Sequence, residues 1–127
     1  MAQPTKPSII TALDAVTATT TSDAINVENA KKVTLMFVRA NHSAGKTVFT
    51  VTASVDGTTF VAYNKLISNA VNAISEGLTR VASYDTGTAN ATAIYSMDLA
   101  NDTFKEIKVT ATETLDGAHS CKVIIER

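Results

Sequence analysis

Hydrophobic and polar residues alternate with a period of two along much of this chain, the pattern of strands buried on one face. From Val48 to Val55 the residues Phe49, Val51, Ala53 and Val55 take one phase and Thr50, Thr52 and Ser54 the other. Asp56-Gly57 follows, which predicts a tight hairpin with a return through Thr59 to Tyr63. From Phe104 to Thr114 the residues Ile107, Val109 and Ala111 alternate with Lys108, Thr110 and Thr112. Asp116-Gly117 then predicts a second tight turn, and Cys121, Val123 and Ile125 point inward from a closing strand over His119 to Glu126. Lys32 to Arg39 differs, because Val33, Leu35 and Phe37 share one phase while Met36 and Val38 share the other with Thr34. Apolar residues on both faces predict a central strand covered on both sides, or one with a face buried in an oligomer.

Weaker patterns fill the rest. Ser8 to Thr21 is ambiguous: Ile9, Ile10, Leu13 and Val16 have helical spacing, yet the Thr17 to Thr21 stretch disfavours a helix, so extended structure is expected. Ala24 to Val27, Thr79 to Tyr84 and Ala93 to Leu99 read as short strands, with a flexible turn over Asp85 to Thr92. Ile67, Val71, Ile74 and Leu78 recur at threes and fours, which allows at most one short helix around residues 68–77. About eight strands at regular spacing predict an all-β fold, an antiparallel β-sandwich or jelly roll. The expected organisation is an N-terminal arm with a first extended segment over residues 1–23, then a single β-sandwich domain over 24–127.

Composition reinforces this reading. Threonine makes up about one residue in six, and branched side chains suit a pleated surface. The formal net charge is -1 with no long block of one sign, which argues against nucleic acid as a partner. Met1 to Ser8 is polar with two prolines, unlike a secretory signal, and no apolar run approaches a bilayer span, so no membrane partner is expected. The lone Cys121 has no disulfide partner within the chain and reads as a buried thiol.

Candidate chemistry is thin. Gly45-Lys46-Thr47 resembles the tail of a phosphate-binding loop, but Ala40 stands where that loop needs glycine and a strand follows where it needs a helix. His42 and His119 read as solvent-exposed or turn-stabilising residues. Ser43 stands beside His42, and Asp56 or Asp116 could come near in space, so a Ser-His-Asp arrangement stays open because triads are defined by geometry and not by order, although no Gly-x-Ser-x-Gly elbow exists. Two histidines fall short of a zinc set, the carboxylates are scattered, and the Asn-x-Ser/Thr triplets at Asn41, Asn90 and Asn101 read as chance matches. The aromatic residues read as core, and tryptophan, the usual platform for sugars, is absent. The expectation is a non-enzymatic protein with no catalytic, cofactor-binding or metal residues.

The stretch Asn29 to Arg39, then His42-Ser43-Ala44-Gly45, Phe49-Thr50-Val51 and Ser54-Val55-Asp56-Gly57-Thr58-Thr59-Phe60, resembles small β-sandwich virion proteins of tailed bacteriophages. Tyr95-Ser96-Met97-Asp98-Leu99, Ile107-Lys108-Val109 and Asp116-Gly117 are similar in rhythm, so the likeness runs from Asn26 onward. It implies a head decoration or cement protein, or a neck or tail component, made in the bacterial host cytoplasm and carried in the virion. Its implied partners are the major capsid protein or other virion proteins, with copies of itself in a symmetric homo-oligomer such as a trimer. The competing expectation is a glycan- or receptor-binding module of a tail fibre or adhesin, with loops Asn41 to Lys46 and Asp85 to Thr92 as its surface. A small hydrolase using His42 or His119 is the third.

Overall fold

The computed structural model describes residues 8–68, 80–99 and 103–127, and those residues are all-β, without a helix. They form β1 (Ser8–Val16), β2 (Thr20–Thr21), β3 (Ile25–Asn26), β4 (Lys32–Ala40), β5 (Thr47–Ser54), β6 (Val61–Tyr63), β7 (Leu66–Ser68), β8 (Arg80–Val81), β9 (Tyr84–Asp85), β10 (Ala91–Ser96), β11 (Glu106–Glu113) and β12 (Ala118–Glu126). One antiparallel sheet runs β1-β12-β4-β10-β7-β8; the other runs β2-β11-β5-β6, with β3 also on β11 and β9 also on β5. No helix among the described residues is long and apolar enough to cross a membrane. The short helix expected at 68–77 falls, from residue 69 on, outside the described residues, while Ser68 belongs to β7.

The strand count exceeds eight because several elements are pairings of two or three residues, too short to carry a period. The core matches the alternation closely. Val33, Leu35 and Phe37 of β4, Phe49, Val51 and Ala53 of β5, Ile107, Val109 and Ala111 of β11, and Cys121, Val123 and Ile125 of β12 are all buried in one cluster. Phe37 and Phe49 stack across the two sheets with ring centroids 4.8 Å apart, and Tyr84 and Tyr95 extend that stack. β4 is central, flanked by β12 and β10, and its outward residues Thr34, Met36 and Val38 are half-buried.

The extended segment over 8–16 is an integral edge strand of the first sheet, and its helix-like spacing has a β-sheet cause. Ile10 pairs with Val123, Leu13 with Cys121 and Val16 with His119, with register shifts between Thr11 and Leu13 and again between Leu13 and Val16. Each irregularity adds a residue between successive inward positions, so they recur at threes instead of twos. Ala15 takes a left-handed conformation at φ 49 within the second irregularity.

Both expected hairpins are corrected. β5 and β6 do pair, Val51 with Tyr63 and Ala53 with Val61, but residues 55–60 join them as a longer loop, and Val55 is 72% exposed instead of inward. Asp56 organises that loop: Oδ1 accepts from the amides of Thr58 and Thr59 and from the Ser54 hydroxyl. β11 and β12 are not a hairpin at all, because they belong to different sheets. Alternation reveals which face of a strand is buried but not which strand lies beside it. Residues 114–117 suffice for the crossing, since four residues reach about 13 Å and packed sheets lie about 10 Å apart. Likewise the strand expected over Thr79 to Tyr84, described from residue 80 on, divides: β8 joins β7 in the first sheet and β9 joins β5 in the second.

Candidate functional site

The alternation of β4 continues one step past Phe37, and that step carries Arg39 into the interior, where it is 1% exposed. Its guanidinium donates to four carbonyls: Nη1 to Gly45 O at 2.8 Å and Gly87 O at 3.1 Å, and Nη2 to Ala44 O at 2.7 Å and Asp116 O at 2.9 Å. The Asp116 carboxylate lies 3.6 Å from Nη2. A planar fork with five donors suits this task in a way that an ammonium does not. Arg39 thereby ties the loops 41–46, 86–90 and 114–117 into one rim at the end of the sandwich.

Further contacts stiffen the rim. Asp116 Oδ1 accepts from the amides of Ser43 and Ala44, and Oδ2 accepts from the Ser43 hydroxyl. The Ser43 hydroxyl, then the two amides, draw the Asp116 carboxyl down to about 2. Lys46 Nζ meets Asp85 Oδ2 at 3.0 Å, and Asp85 Oδ1 accepts from the Gly87 amide at 2.8 Å. The Gly87 amide, followed by Lys46, lowers the Asp85 carboxyl below its usual range. Asn90 Oδ1 accepts from the His42 amide and lies 3.0 Å from its ring Nδ1. Gly117, at φ +122, is needed because a Cβ there would stand 2.9 Å from Arg39 Nε.

The sequence candidates therefore separate. Asp116 does approach Ser43, but the His42 ring engages Asn90, so the open triad geometry is not assembled from these contacts. His119 is fully buried instead of exposed, because it shares the inward phase of Cys121, Val123 and Ile125. Its Nδ1 lies 3.0 Å from Thr47 Oγ1 and its Nε2 lies 3.5 Å from Glu113 Oε1. Gly45-Lys46-Thr47 leads into β5, with Lys46 on Asp85 and Thr47 on His119. Among the described residues no group of three or more His, Cys, Asp or Glu is placed to hold a metal ion. Sequence reasoning missed Arg39 as the organiser. The signal was present in its phase on β4, and His119 is its cross-strand partner on β12.

The two outer faces of the sandwich are chemically unlike. The second sheet shows Thr50 and Thr52 of β5, Thr110, Thr112 and Lys108 of β11, and Thr21 of β2, whose hydroxyl meets that of Thr110 at 2.9 Å. The first sheet places Ile9 beside Ile124 and Ile94 beside Met36, with Val38 on the same outer face. Ile9 is 67% and Ile94 44% exposed. Most polar groups of the rim are thus paired internally, with Arg39 Nε buried and unpaired, and the face of the first sheet carries an apolar surface open to a partner; Val55, Val61 and Leu115 are exposed in or beside loops.

No protein-family model and no curated protein sequence matches this chain. Among solved structures the fold matches the crystal structure of the SPBc2 prophage-derived protein YomS with a TM-score of 0.67. The match covers 99% of this chain and 100% of that one at 11% sequence identity, so the likeness is one of fold.

Proposed function

We propose that this chain is a non-enzymatic structural protein of a bacteriophage particle that acts through protein–protein contacts, with decoration or cementing of the capsid as its place. The observation that carries this reading is the exposed apolar face of the first sheet, on a sandwich whose end loops are tied to one another through Arg39. The end-to-end fold likeness to a prophage-derived protein supports the phage setting. A repeating lattice suits such a molecule, because many modest contacts combine into stable attachment. In this reading the major capsid protein or another virion protein is the partner and the virion is the location. Mass spectrometry of purified particles tests it: stoichiometric amounts of this chain are expected, and its absence from the particles defeats the proposal.

A second reading is favoured by one specific observation. Loops Asn41 to Lys46 and Asp85 to Thr92, named from sequence as a binding surface, meet through Arg39, Lys46–Asp85 and His42–Asn90. A preorganised rim of this kind suits recognition of a glycan or receptor by a tail-fibre module. Binding on a glycan array that is lost with Asn90→Ala selects this reading; a blank array removes it.

A further inference from the structure

We propose that the outer face of the first sheet is a two-fold interface with a second copy of this chain, centred on Ile124. The inference deepens the protein-contact reading above, and the two are tested separately: sedimentation of the purified chain decides this one, the composition of the particle the other.

β12 presents Lys122, Ile124 and Glu126 on this outer face, a cation, an apolar residue and an anion at equal steps. The cross-strand row through Ile124 runs Ile9, Ile124, Thr34, Ser96, Ile67 and, at the far edge of the sheet, Arg80, whose charge is paired with Asp98 at 2.9 Å. A two-fold axis along that row, in the plane between two copies, reverses the strand direction of the second copy. It sets Ile124 against its own counterpart and Lys122 against Glu126 of the second copy, and it does so twice. The self-match is specific to this axis. A two-fold through the neighbouring row of Lys122, Met36 and Ile94 would instead press Lys122 against Lys122. Lys32, beside Glu126 in the register, sets its aliphatic stem against Met36 of the second copy, and Arg80, five strands from β1 at the end of the axial row, stays paired with Asp98 outside the centre of the contact.

Area agrees with charge. Three of the four longest neighbours, β1, β12 and β4, run nine residues and β10 runs six. Strands about 4.8 Å apart rising about 3.4 Å per residue make a face on the order of 600 Å2 before side-chain relief is counted. A standard-size interface takes about 600–1,000 Å2 from each partner, so this face reaches the low end of that range, in keeping with a reversible dimer. Sheets packing face to face align within about 30° and lie about 10 Å apart, a geometry open to two such faces. The outer face of the second sheet is mostly threonine; its Glu106 and Lys108 lie near one end, with Lys108 already 4.4 Å over the Phe60 ring, and no exposed isoleucine stands between them.

Sedimentation of the purified full chain and of single variants tests the proposal. The wild-type chain is expected to sediment as a dimer in reversible equilibrium with monomer. Lys122→Glu places two like charges together at both ends, and its dissociation constant should rise by at least about tenfold. Glu126→Lys should do the same. The double exchange Lys122→Glu with Glu126→Lys restores opposite charges and should return the constant to within a few-fold of wild type. Thr110→Lys, on the other outer face, should leave it unchanged. All these positions are outside the core, and urea unfolding verifies that each variant folds. A wild-type chain that stays monomeric at every concentration overturns the proposal. So does a trimer, or a dimer that Lys122→Glu leaves intact or that the double exchange fails to rescue.

Discussion

Arg39 shows how much one buried side chain can organise. Four carbonyls from three separate loops depend on its two terminal nitrogens. Arg39→Lys keeps the charge and loses the fork, so carbonyls buried against it lose their donors. We expect a loss of about 2–4 kcal/mol in unfolding free energy, read from urea denaturation, and a value within error of wild type would refute the role given to Arg39. The exposed carboxylates of the loops act through pH. Asp56 is drawn down from an ordinary 3.8 to about 2, chiefly by the amides of Thr59 and Thr58, and Asp116 to about 2, chiefly by the Ser43 hydroxyl. Depressed in the folded state, each binds its proton more readily when the chain unfolds. Their stabilisation is therefore complete above 3.8 and disappears as pH falls toward about 2. The urea midpoint should fall through that window, and Asp116→Asn should make the fall shallower; an unchanged slope counts against these contacts.

At the level of elements, β1 is the instructive case. Its inward residues Ile10, Leu13 and Val16 have the spacing of a helix, and only the register against β12 reveals two irregularities as the cause. Ala15 holds a left-handed conformation there at φ 49. That conformation costs a residue with a Cβ roughly 1 kcal/mol, so Ala15→Gly should stabilise the protein by up to about that amount, less the entropy glycine adds to the unfolded chain. Thermal unfolding checks this, and a clear loss of stability would show that the turn does not strain alanine. The same reasoning explains what the sequence makes legible. Period-two runs in β4, β5, β11 and β12 identify the strands and the core, because the pleat alone sets that period. Strand partners are another matter: β11 and β12 have matching patterns and an Asp-Gly between them, yet the chain changes sheets there. The rim follows from that crossing, since Asp116 reaches Ser43 only because residues 114–117 pass over the end of the sandwich. Arg39 and His119 were legible by phase, but a charged or polar residue ending a strand reads as exposed unless its neighbours in space are known.

On the scale of the whole molecule, the crossings have a thermodynamic consequence. The chain changes sheet repeatedly, so neither sheet consists of consecutive strands, and separating the two layers requires unthreading most of the connections. Opening should therefore be all-or-none, as for most single domains of this size. Cys121 is placed to report it. It lies on β12 between β1 and β4, is fully buried in the shared core, and burial pushes its thiol up to about 12. The thiolate is the reactive form, so in the folded protein near neutral pH the group is protected both by access and by ionisation. Labelling by a thiol reagent must then proceed through an opened molecule. Its rate in dilute urea should track the same free energy and the same urea dependence as global unfolding when reclosing outpaces labelling. Peeling of the edge strand β1 is the competing route, because β1 covers the Cys121 side of β12 through its pair with Leu13. That route would give a smaller urea dependence than global unfolding, so the slope of labelling rate against urea distinguishes a cooperative sandwich from one that frays at its first strand.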